Sequence, residues 1–222
     1  MSNMKSEKRE LNTFNRVSMR GIGRLMIKQG EDQEVILEGG EIAISRITTN
    51  VVEGKLVIDV GRDWVEKLSA GFDFLTDQDV TISITVKDLT SLEVAGAADI
   101  EVAPLRTGDL ELKLIGASNI KVEGFKADRL KAELPGAGKI RVDGEVTDLS
   151  VVLAGAGNFS GLHLKSKNAK VVLSGVGSAQ LWATDELDVT IAGVGSVEYY
   201  GSPAIKQSLT MLGKITSLGE PK

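Results

Sequence analysis

The sequence predicts an all-β protein, a single-stranded parallel β-helix (solenoid) wound in coils of about 20 residues and irregular or capped at both ends. Three observations carry this reading. A glycine motif recurs at a near-constant step. Period-two alternation flanks every copy. No helical period separates one copy from the next.

The motif stands at Gly96, Gly116, Gly136, Gly155, Gly175 and Gly193, at steps of 20, 20, 19, 20 and 18 residues. Two and four residues before each glycine lie apolar side chains, for example Val151 and Leu153, or Val171 and Leu173. Four and six residues after it the alternation resumes, as in Ile120 and Val122, or Ile140 and Val142. Strict alternation marks strands with one buried face. Two such strands per unit cannot bury those faces alone, whereas stacked units can. Read singly, VVLAGAGNFSG (Val151 to Gly161) looks like a strand entering a phosphate loop. That loop works through a helix N-terminus whose N–H groups face the anion. The chain after Gly157 reads Asn158-Phe159-Ser160-Gly161-Leu162-His163-Leu164, which alternates again, so the six glycines read as structural corners.

The remaining segments complete the architecture. Residues 1–10 read as a disordered tail, and 11–218 as one β-helix domain. Within it, 11–90 form irregular N-terminal coils or a cap, 91–200 the regular repeats and 201–218 a C-terminal cap, with 219–222 a tail. Gly21-Ile22-Gly23 is a distant echo of the motif. Residues 63–75 interrupt the pattern, and Trp64, Phe72 and Phe74 are candidates to cover the terminal coil, which must be protected from open-ended strand pairing.

Composition excludes several classes. The hydrophobic share of 42% supports a sizeable core. Net charge is −5, with 26 basic and 31 acidic residues well mixed, which argues against nucleic acid as a partner. The chain has no cysteine and one histidine, His163, so thiolate metal sites are excluded and a zinc site or triad would rest on His163 alone. No cofactor is implied. The apolar runs are strand-length, so no membrane span is expected, and MSNMKSEKRE lacks the apolar region of a signal peptide. Either the protein is cytoplasmic or a leader has been removed.

The units LxLxxxGAxxIxV and GVGSxxxxG, after the opening FNRVSMRGIGRLMIKQG, resemble the auto-transporter adhesin head GIN domain family from about Phe14 to Leu218. The resemblance implies a parallel β-helix and an exported bacterial protein, often a lipoprotein, at the cell surface. It supplies no catalytic residues.

Outward columns hold the candidate contact residues. Three residues before each glycine stand Glu93, Lys113, Glu133, Val152, Val172 and Thr190. Seven after it stand Ala103, Glu123, Asp143, Leu162, Trp182 and Tyr200. Leu162, Trp182, Tyr200, Val152 and Val172 together form a candidate partner-contact patch, since an outward apolar cluster marks an interface. It would meet a glycan or cell-surface protein, form a homo-oligomer contact, or lie under the C-terminal tail. Lys121 beside Arg141 is the one cation pair suited to an anion. Turn positions carry Asp88, Asp109, Asp128, Asp148, Asn168 and Asp185. Glu123 and Asp143, one coil apart, are the candidate acids of a polysaccharide-cleaving site. Three functions follow: a non-catalytic extracytoplasmic binding or adhesion-like scaffold, which is the leading reading; a polysaccharide-active enzyme; and a self-assembling structural protein.

Overall fold

A strand with alternating apolar residues must bury one face, and here the strands of the regular coils, within residues 91–200, do so inside the stack. The computed structural model describes residues 4–60, 80–210 and 212–221. In chain order the strands are β1 (Met4–Arg9), β2 (Arg16–Gln29), β3 (Glu34–Gly40), β4 (Thr48–Val52), β5 (Lys55–Asp59), β6 (Thr81–Val86), β7 (Ser91–Val102) and β8 (Asp109–Leu114). They continue as β9 (Ala117–Leu134), β10 (Ala137–Leu153), β11 (Ala156–Leu173), β12 (Val176–Ile191), β13 (Val194–Tyr200), β14 (Ala204–Leu209) and β15 (Gly213–Ser217). One short helix, α1 (Glu41–Ser45), follows β3. The strands form a parallel β-solenoid of about six turns, as the sequence predicts.

The inward columns are the expected ones. Leu92, Leu112, Ala132, Val151, Val171 and Val189 stack in one, and Val94, Leu114, Leu134, Leu153, Leu173 and Ile191 in the next, all fully buried. Each buried Val, Leu or Ile contributes about 1.5–3 kcal/mol of transfer free energy, so these columns dominate the fold. Beyond the glycines the core conserves volume within a rung. Phe159 pairs with Gly161, Ala179 with Leu181, and Val197 with Tyr199. A Cβ at Gly161 would lie 2.7 Å from the Phe159 ring, so the large residue fills what the small one leaves.

The six motif glycines have a specific steric cause. A Cβ at any of them would fall 1.9–2.3 Å from the carbonyl oxygen of the glycine one coil earlier, in a column that begins at Gly21. None of the six has a left-handed φ. Close approach of stacked backbones therefore selects glycine here. The distant echo at Gly21-Ile22-Gly23 is in register with Gly96-Ala97-Ala98.

Both ends differ in detail from the sequence reading. Residues 4–9 are not a disordered tail: β1 pairs antiparallel with β3, and Lys5, Glu7, Lys8, Arg9 and Glu34 lace it with ion pairs. β2, placed by sequence among irregular coils, is a full rung parallel to β7 over twelve residue pairs. β5 and β6 form the rung beyond it, and the antiparallel strands β3 and β4 end the parallel ladder there. Ile44 of α1 is buried in the same core. Trp64, Phe72 and Phe74 lie outside the described residues. At the other end β14 and β15 extend the ladder by one more coil instead of folding across it, and Gly219 and Glu220 are tied to Gly201 and Ser202.

Candidate functional site

The glycine corners are closed to anions. The amides of Ala137, Ala156, Val176 and Val194, one past each glycine, donate to the glycine carbonyl of the coil beneath at 2.9–3.0 Å. The N–H groups that a phosphate would need are committed to the solenoid's own ladder.

The flank beyond the second strand is more informative, because its register departs from the glycine count. β11 carries three extra residues, Leu162 to Leu164, between the pairs Gly161–Leu181 and Lys165–Trp182. β12 carries one extra residue between the pairs Ser166–Ala183 and Asn168–Glu186. The net difference, 3 − 1 = 2, accounts for the shorter step from Gly175 to Gly193 (18 against 20). Counting from the glycine cannot locate such a bulge, and so the count puts Leu162 in the column of Trp182. In the structure Lys165 takes that place. Its ammonium sits 5.4 Å from the centroid of the Trp182 ring, a distance at which the ring quadrupole attracts a cation.

The true column therefore reads Arg106, Lys126, Glu145, Lys165, Trp182 and Tyr200. Lys126 and Glu145 pair at 3.7 Å. A charge ladder thus gives way to two stacked aromatics on neighbouring coils. Trp182 and Tyr200 are both half-buried and lie between buried neighbours, which fixes their side chains outward. Residues 217–219 run beside 199–201 as the next rung, so the tail prolongs the column past Tyr200 without folding back over it. Ser166 steadies the turn beneath by donating its hydroxyl to the Trp182 carbonyl at 2.7 Å.

The other members of the predicted patch lie elsewhere. Val152 and Val172 pair with each other and are half-buried, but on the strand before the glycine corner, in register with Thr190. Leu162 is half-buried in the bulge beside the exposed His163. Of the five, Trp182 and Tyr200 share one column and Val152 and Val172 another.

The acidic candidates are engaged by their own strands. Lys121 pairs with Glu123 at 2.6 Å and Arg141 with Asp143 at 3.4 Å. The hydrogen bond from Lys121 holds the Glu123 carboxyl below its ordinary range, whereas a general acid needs a raised one. The same pairings neutralise the Lys121–Arg141 cation pair. The turn column also shifts by a residue: Arg129 stands between Asp109 and Asp148, and Glu186 follows Asn168, with Asp128 and Asp185 one place earlier. Arg129 grips Asp109 through two bonds, 2.8 and 2.9 Å, and Asn168 donates to Asp148 at 2.8 Å. Among the described residues no group of three or more His, Asp or Glu is placed to hold a metal ion, and no helix is long and apolar enough to cross a membrane.

Fold and flank together define a parallel β-solenoid that displays a short aromatic line at the C-terminal end of a charged outer column. The chain belongs to the family described as "Putative auto-transporter adhesin, head GIN domain", whose model matches residues 13–203. Among solved structures it is similar to an adhesin-named protein of Bacteroides fragilis (20% identity, 97% of each chain, TM-score 0.86). It is likewise similar to a protein of Parabacteroides distasonis named for lipid binding (20% identity, 98% of each chain, TM-score 0.73) and an adhesin-named protein of Parabacteroides merdae (20% identity, 97% and 96%, TM-score 0.69). These likenesses show the shared fold. No curated protein matches the chain.

Proposed function

We propose that this chain is a non-catalytic bacterial binding scaffold of the cell surface, which presents the flank of its solenoid to a glycan or a surface protein. The observation that carries the reading is the outward pair Trp182–Tyr200, stacked on neighbouring coils and joined to Lys165. Aromatic faces bind sugar rings and protein side chains with large contact area, and the adjacent cation favours an acidic partner. Family membership supports the adhesive role and the surface location. The Lys121 hydrogen bond lowers the Glu123 carboxyl, which disfavours a general acid at that position.

The test is binding of the purified chain to a glycan array and to bacterial and host cells, with and without Trp182→Ser and Tyr200→Ser. Binding lost in the double variant, with melting unchanged, supports the flank. Binding unchanged in the double variant overturns it. Release of new reducing ends or unsaturated products from any polysaccharide, with or without calcium, overturns the non-catalytic role.

A further inference from the structure

The last coil is where inward-facing side chains have a neighbouring coil on one side only. Among the described residues β14 pairs with β12 alone and β15 with β13 alone. Ile205 continues the column of Leu187, Gln207 that of Val189 and Leu209 that of Ile191. Leu187, Val189 and Ile191 are at most 1% exposed, whereas Ile205 and Leu209 are 44% and 46% exposed. An unpaired row of amides and carbonyls beside exposed Ile and Leu is a template for another strand. The opposite edge strand is guarded: β1 (MKSEKR) has four charged residues of six, while β14 (AIKQSL) has one, Lys206.

We propose that two copies of this chain join at their C-terminal ends, with β14 pairing antiparallel with β14 of the second copy about a two-fold axis at Gln207. The sequence of β14 is complementary to itself in that register. Paired residues in an antiparallel ladder share a face. Centring on Gln207 therefore sets Ile205 against Leu209 of the second copy, and Lys206 against its Ser208. Centring on Lys206 would oppose two ammonium groups, and centring on Ser208 would set Gln207 against Leu209. Gln207 is also the polar exception in a column that reads Ala132, Val151, Val171 and Val189 in earlier coils. On the axis it meets its own copy, and two amides can bond each other. A single polar residue in an apolar contact fixes register in this way. Among the described residues the other end of the solenoid finishes in antiparallel strands and α1, an outline unlike that of the last coil. A two-fold contact closes at two copies.

The chain has no cysteine, so Gln207→Cys creates a single thiol. Directly paired Cα atoms in an antiparallel ladder are about 4.5–5.5 Å apart, within the range a disulfide spans. The expected results are a sedimentation mass twice the 23.6 kDa of the chain, near-complete covalent dimer on mild oxidation of Gln207→Cys, and none for Thr190→Cys one coil inward. Gln207→Lys, which opposes two charges on the axis, should be monomeric, with circular dichroism and melting of the single chain retained. A monomer at every concentration, a dimer unaffected by Gln207→Lys, filaments of growing mass, or a dimer lost in Trp182→Ser instead would each overturn the proposal.

Discussion

Replacing Gly175 by Ala tests the steric account of the corner column directly. The new Cβ would lie 2.0 Å from the Gly155 carbonyl oxygen and 2.7 Å from the Ala154 carbonyl carbon. Both neighbours are backbone, so no side chain can swing aside. Relieving the contact to 3.0 Å requires a retreat of at least 3.0 − 2.0 = 1.0 Å. That retreat breaks the 3.0 Å bond from the Val176 amide to the same oxygen. Displaced packing costs about 1–3 kcal/mol, and the lost bond about 0.5–1.5 kcal/mol. The variant should therefore be destabilised by about 2–4 kcal/mol, a fall in Tm of roughly 5–15 °C for a chain of this size. Gly108→Ala is the control, since a Cβ there meets no atom within 4 Å and the φ is not left-handed. It should stay within about 0.5 kcal/mol of the parent. Thermal melting by circular dichroism and urea unfolding measure both. Gly175→Ala melting within a degree or two of the parent would refute close approach as the reason for the glycines.

Two further outcomes are expected. Ser118 is buried, accepts from the Ala98 amide at 2.9 Å and donates to the Gly96 carbonyl at 3.0 Å, so Ser118→Ala strands a buried N–H and should cost about 1–3 kcal/mol in urea unfolding. Asp109 is held below its ordinary range by the bonded Arg129 guanidinium, so its contribution is present above the unfolded-state range and lost as pH falls through the lower folded value. The difference in urea midpoint between the parent and Asp109→Asn should accordingly be largest near neutral pH and vanish in acid.

How far the site was legible depends on what kind of information each residue carries. Trp182 and Tyr200 were readable as outward because each alternates with buried neighbours, a local property of the strand. Lys165 was not readable beside them. The two-residue deficit between Gly175 and Gly193 is visible in the sequence, but its position in the turn is not, because a bulge is chosen by packing. Leu164 is fully buried while Leu162 is not, and this preference sends the extra residues outward and seats Lys165 over the indole. The fivefold patch also separates in space, because Val152 and Val172 share alternation with Trp182 but stand across the glycine corner from it.

The sequence by itself determined the solenoid, its step, its inward columns and the corner glycines, since each rests on periodicity that repeats until chance is excluded. Only the tertiary structure decided why the corners are glycine, which residues share an outer column, and how the ladder ends. Those answers depend on distances between coils some 20 residues apart. At Gly155 and Gly175, backbone atoms of neighbouring coils come closer than a single methyl group would allow.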